Sequence, residues 1–166
     1  MAQSEKRFIV CMIKERHDNK LTIGTFLKVF WGITFLTCGC IIYLLFRSKS
    51  LNIYQWCIVL GLSDTIDSLR GTVQDWNIAE WIRYSLPDGL YCAAFILFID
   101  AIWKDDDGFI KHFVVSLVPI ITITSELLQY FGLVKGTFDF CDLVYYSAPF
   151  IAYYIYRYFS TKISIL

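Results

Sequence analysis

The sequence predicts an all-α, polytopic membrane protein: four transmembrane helices, with a helical connector, interfacial or re-entrant, between the first and the second. Three observations predict it. Charge is sparse, with 57% of the 166 residues apolar, 18% aromatic and only 18% charged, against about 25% charged in soluble domains. Four apolar runs reach or approach the ~20 helical residues that a bilayer core of about 30 Å requires. The basic residues are distributed unevenly between the two sides that those runs define, ten against five.

Residues 1–25 read as a cytoplasmic tail. They carry Lys6, Arg7, Lys14, Arg16 and Lys20, and their one apolar patch, Phe8 to Ile13, is shorter than the core of a cleavable signal. Such a basic, partly amphipathic segment suits an anionic lipid surface. The first span runs from about Phe26 to Phe46, interrupted only by Lys28. A connector over 47–85 follows. Its apolar stretch Leu51 to Leu62, about 12 residues, is too short to cross unaided, and reads as an interfacial or re-entrant helix or else as part of a fifth, bent span. Trp56, Trp76 and Trp81 fit interfacial anchoring.

The second span covers Pro87 to Trp103. Pro suits the first turn of a helix and Asp88 suits its positive end, while Asp100 falls near the far end. The loop Lys-Asp-Asp-Asp-Gly-Phe-Ile-Lys (104–111) makes spans two and three antiparallel neighbours. Its three aspartates lack EF-hand spacing and read as a solvated turn. The third span is Phe113 to Leu133, the fourth Cys141 to Tyr158, and 161–166 form a cytoplasmic C-terminal tail. Residues 26–160 make one transmembrane domain.

Orientation follows from the basic residues. The N-tail through Lys28, the 104–111 loop and the C-terminal end share one side and carry ten of the fifteen Lys and Arg. The positive-inside rule places both termini in the cytoplasm. Formal net charge is zero, so nothing points to a nucleic-acid partner. The six cysteines form no framework: Cys38 and Cys40 are two apart and cannot face each other on a helix. With Cys11, Cys57, Cys92 and Cys141 they read as small buried apolar residues, and His17 and His112 flank loops. No metal site or cofactor is expected.

The most informative stretch is Ser125-Glu126-Leu127-Leu128-Gln129. An ionised group at membrane depth costs roughly 2.5–3.5 kcal/mol on insertion scales, so it is retained for a partner or a task. Glu126 and Gln129, three apart, share a helix face with Thr122 one turn below. Asp139 and Asp142 have the same spacing where the chain enters the fourth span. By the topology above, these residues, Asp88, Arg47 and Arg70 all fall on the outer side, as a charged vestibule facing outward. A plainer reading keeps Glu126 as a helix-bonding or snorkelling residue.

The run 125–129, followed by Gly-Thr-Phe-Asp-Phe-Cys-Asp-Leu (136–143) and joined by Leu86-Pro87-Asp88, resembles the VanZ-like family of small bacterial membrane proteins. That family carries Glu-x-x-Gln in one span, a Gly/Arg-bearing loop, and Asp-x-x-Asp leading into the last span. The resemblance covers about residues 85–158. This chain departs from it at four places: the loop arginine falls at about Gly136 beside Lys135, an asparagine at Tyr146, a glycine at about Pro149 and a histidine at about Cys92. The resemblance implies a multi-pass protein of the bacterial cytoplasmic membrane and an accessory role in glycopeptide (teicoplanin-type) resistance. The expected function is binding of a membrane lipid head group, or a lipid-linked envelope component, at Glu126, Gln129, Asp139, Asp142, Asp88, Arg47 and Arg70. Two alternatives stay open. One is an intramembrane enzyme on a lipid, with Glu126 as general acid or base, although no nucleophile–base pair can be assembled. The other is a homo-oligomeric effector or pore, although Gly-x-x-x-Gly patterns are few.

Overall fold

A computed structural model of the protein describes the backbone at residues 2–73, 75–104 and 108–163, and side chains from Ile23 onward except at Thr161 and Ile163. Asp106, placed inside by the topology above, falls outside these residues, as do the side chains of Cys11 and His17. The described residues hold seven helices and no strand: α1 Ala2–Phe46, α2 Asn52–Val59, α3 Ser63–Val73, α4 Glu80–Tyr84, α5 Leu86–Ile102, α6 Phe109–Tyr130 and α7 Phe140–Ile163. The expected tail over 1–25 therefore continues into the first span as one helix.

Two helices, not four, are long and apolar enough to cross a membrane by length and composition, Ile23–Phe46 and Phe109–Tyr130. The other two runs fall short for different reasons. α5 has 17 residues, about 25 Å of rise against a core of about 30 Å. α7 has 24 residues, but six tyrosines, Pro149, Asp142 and Arg157 dilute its apolar content. The third run also stops early, at Tyr130 rather than Leu133. Gly132 adopts a φ of 70°, and Leu133 N–H returns to Leu128 O at 2.9 Å, closing the helix in a glycine C-cap.

The connector folds into α2, α3 and α4, so the short helix expected over 51–62 is present and two more follow it. Tyr54, Cys57 and Ile66 form a small core against Leu44 of α1. Arg70 fixes the connector to the end of α1 by donating to Leu44 O at 2.8 Å and Arg47 O at 2.6 Å. Those carbonyls belong to the last turn of a helix, where no backbone partner remains.

α5 is the central helix, with α1, α4, α6 and α7 all packed on it. The main core joins Cys92 and Ile96 of α5 to Val115 of α6 and Tyr153 of α7. Phe98 and Tyr91 of α5 lie over Gly32 and Gly39 of α1, where no side chain is in the way. α5 and α7 approach each other closely at Gly89. Pro149 has no N–H to offer Tyr145 O, which a regular helix would bond four residues on. Gly89 sits against that freed carbonyl, and a Cβ there would lie 2.9 Å from Tyr145 O. Hydroxyls within the apolar runs are satisfied locally: Thr34 donates to Phe30 O at 2.9 Å and Thr37 to Ile33 O at 2.8 Å. Of the described cysteines, only Cys57 and Cys92 are buried as expected; Cys40 and Cys141 are half-buried, and Cys38 is exposed.

Two measurements check this packing. Gly89→Val is expected to cost about 1–3 kcal/mol, as for overpacking against a backbone that cannot give way, and to lower the melting temperature of the purified protein. Gly24→Ala, with open space around it, is expected not to. The second concerns Asp67, which accepts from Lys49 Nζ at 2.6 Å and Tyr54 OH at 2.8 Å. These donors hold its carboxyl below the ordinary carboxylate range. A depressed value means that the stabilisation is present at neutral pH and lost as pH falls through the folded value. Amide exchange in α2 and α3 should therefore accelerate on acidification, and Asp67→Asn should flatten that dependence.

Candidate functional site

The sequence-predicted residues converge on one end of the bundle because the helices alternate in direction. α1 and α6 end there, and α5 and α7 begin there. Asp88, in the first turn of α5, is the best-partnered group. Tyr43 OH donates to Asp88 Oδ1 at 2.6 Å and Tyr146 OH to Oδ2 at 3.2 Å. Arg47 approaches Oδ2 at 3.9 Å, donates to Tyr84 O at 3.1 Å, and lies over the rings of Tyr43 and Tyr84 at 4.8 and 5.0 Å.

Glu126 faces the bundle interior, 6% exposed. Its one hydrogen bond among the described residues is from the Asp139 backbone N–H, at a long 3.5 Å. Asp88, Asp139 and Asp142 all lie within electrostatic reach of it. Asp139 has a local task besides: its Oδ1 accepts the Cys141 N–H at 2.8 Å and so caps the start of α7. Gln129 folds over Gly136 and leaves no room there for a Cβ. A longer residue at 136 would displace it. Asp142 Oδ1 and Ser85 Oγ are buried with no hydrogen-bond partner. Gly89 and Tyr145 hold their two helices in contact at this level.

Arg70 stands apart. Its guanidinium is spent on the two α1 carbonyls, so it does not join the cluster around Glu126. Three residues of this end escape sequence reasoning: Tyr43, Ser85 and Tyr146 as polar groups of the site. The spacing held a signal for two of them, since Tyr43 precedes Arg47 by one turn and Tyr146 follows Asp142 by one turn. Tyr146 supplies a donor to Asp88, and Cys92 Sγ lies 3.6 Å from Tyr146 O.

The balance of charge defines the chemistry open to this end. Of Glu126, Asp88 and Asp142, only Asp88 pairs with a guanidinium among the described residues, and a buried carboxylate without a counter-charge demands a proton or a cation. Among the described residues no three His, Cys, Asp or Glu side chains are placed to hold a metal ion.

The opposite end holds a second charged cluster, which the sequence does not reveal as one. Asp100 pairs with Lys28 Nζ and Lys111 Nζ, each at 2.6 Å, accepts from Tyr153 OH at 2.9 Å, and has Arg157 at 3.8 Å. Lys111, read from sequence as a loop residue, is 2% exposed and also donates to Trp103 O at 3.0 Å. Asp100→Ala would leave that ammonium buried and unpaired. The expected loss is about 3–5 kcal/mol, as for breaking one side of a buried ion pair, read as a sharp fall in melting temperature. Lys49→Ala, which breaks an exposed pair, should shift it little.

No known protein family, curated protein or solved structure matches the chain.

Proposed function

We propose that the chain is a VanZ-like integral protein of the bacterial cytoplasmic membrane. In this reading α1, α5, α6 and α7 cross the bilayer with both termini inside. Its acidic end faces outward and binds a lipid head group or lipid-linked envelope component, which makes it a glycopeptide-resistance accessory.

Two features support the membrane placement. The two long apolar windows are only 11% and 17% buried within the protein, whereas the core helix of a soluble fold would be mostly buried. Large side chains such as Phe26, Phe30, Ile120, Ile121, Ile151 and Ile155 point outward, more apolar surface than water tolerates on a monomer. The short α5 is accommodated by its central position, since it is wrapped by the other helices rather than by lipid.

The observation that carries the ligand reading is the buried Glu126 with the half-buried Asp142, whose Oδ1 has no hydrogen-bond partner among the described residues, beside Asp88. A group that satisfies them must bring donors and positive charge, and a head group or glycan bearing a primary amine does both. Such a group would neutralise the carboxylates without any metal or covalent step, so binding is the function this geometry supports best.

Two outcomes are expected. The double variant Glu126→Gln/Asp142→Asn should express and melt like the parent, since removing buried charge relieves desolvation, while teicoplanin protection in a host lacking its own copy is lost. A fully protective double variant would show the constellation to be structural. Cysteines placed by Lys135→Cys and Lys104→Cys should react with an impermeant reagent from outside and inside respectively; the reverse pattern would sink the outward-facing site.

A further inference from the structure

Beside the acidic end, the last turn of α1, α3 and α4 border an open cavity of about 380 Å³ lined by Leu45, Phe46, Lys49, Asp67, Arg70 and Arg83, among others. Three cations line it against one carboxylate, the reverse of the balance around Glu126. Their charges are used unequally. Lys49 pairs with Asp67 at 2.6 Å. Arg70 donates to Leu44 O and Arg47 O and lies within electrostatic reach of Asp67, with no carboxylate in direct contact among the described residues. Arg83 is half-buried, and its Nε is shut off from solvent with no hydrogen-bond partner. Glu80, one turn earlier on the same helix, does not reach it.

The Arg83 Nε has lost its hydration without gaining a partner among the described residues, a cost of the kind that a bound anion removes. The planar fork of donors on a guanidinium matches the oxygens of a phosphoryl group better than a single carboxylate oxygen or a halide does. We infer that this cavity is a phosphoryl-binding site, with Arg83 as principal ligand and with Arg70 and Lys49 supplying the field. Leu45 and Phe46 form an apolar wall where α1 leaves its apolar run, so a phospholipid head group can enter with its chains alongside that helix. Free phosphate has the same charge and oxygens and makes the same contacts without the chains. The inference does not rest on the ligand assigned to Glu126 and Asp142: the residues differ, the sign of charge differs, and the readout is binding of a phosphoryl probe. Failure of either reading leaves the other standing.

The test uses the full chain purified in a maltoside detergent, which carries no phosphate. Inorganic phosphate binding is measured by equilibrium dialysis, and retention of phosphatidylglycerol against neutral diacylglycerol by native mass spectrometry. Arg83→Gln is expected to weaken the binding about tenfold or more, the size of a lost charge-assisted hydrogen bond. Asp67→Asn is expected to move it the other way, because it frees Lys49 from its counter-ion; general damage to the fold would not tighten binding. Retention of phosphatidylglycerol without orthophosphate binding identifies the lipid as the source, and orthophosphate binding that competes with the lipid identifies the phosphoryl group alone as sufficient. Absence of binding to both probes, or equal binding by parent and Arg83→Gln, overturns the assignment.

Discussion

Asp100 takes Lys28 from α1, Lys111 from α6 and Tyr153 from α7 onto one carboxylate of α5, with Arg157 of α7 close behind. All four long helices meet at that side chain. Helix packing by ridges and grooves leaves several sliding registers of similar energy, and an apolar surround of Leu, Ile and Phe distinguishes them poorly. A buried carboxylate with specified donors does distinguish them, because every slip of one turn strands at least one charge. The positions of Phe98 over Gly32, of Tyr91 over Gly39 and of Gly89 against Tyr145 all follow from a register set there.

The other end of the same helix is held differently. Asp88 is twelve residues earlier on α5, about 18 Å along the axis, and two tyrosine hydroxyls and a distant guanidinium are its partners. Glu126 has one long backbone hydrogen bond. The charge that locks the Asp100 end is therefore scarce where the carboxylates collect. One end is built as a clamp with cations in excess; the other has polar groups that its own neighbours leave unsatisfied. That contrast distinguishes the two ends more firmly than burial alone, since Asp100 and Glu126 are buried to a similar degree.

What the sequence made legible was periodic or locally coded. The four apolar runs, the short helix near 52–59, and the common face of Glu126 and Gln129 came from length and spacing. The end of α6 was overrun because apolar content continues to Leu133 while Gly132 turns the chain. α3 and α4 escaped notice because short polar helices have no run to announce them. Lys111 and Arg70 were misjudged for one reason: a sequence shows that a residue is charged, not which carbonyl or carboxylate another helix will offer it. Tyr43 and Tyr146 were lost in the same way, as aromatics in apolar runs read as packing until a carboxylate is found at their hydroxyls.

The positive charge that could have neutralised the acidic end is present in the chain and is used elsewhere. Arg47 alone reaches Asp88, and its Nη2 is shared among Asp88, Tyr43 OH and Tyr84 O while its Nε has no partner. Arg70, bonded to the main-chain oxygen of that same Arg47, is turned away onto carbonyls. Arg83, adjacent to Tyr84 whose carbonyl Arg47 uses, faces the cavity behind α1. Three guanidiniums thus cluster around the end of α1, and only one serves the carboxylates. A purely structural network would be expected to close on itself, because a buried charge next to an idle opposite charge is a costly arrangement to retain. Here Glu126 has one long hydrogen bond and Arg83 Nε has none among the described residues, so each set keeps a member short of partners. Sites for charged ligands have that property, and it is why both sets of residues are proposed to bind rather than only to stabilise.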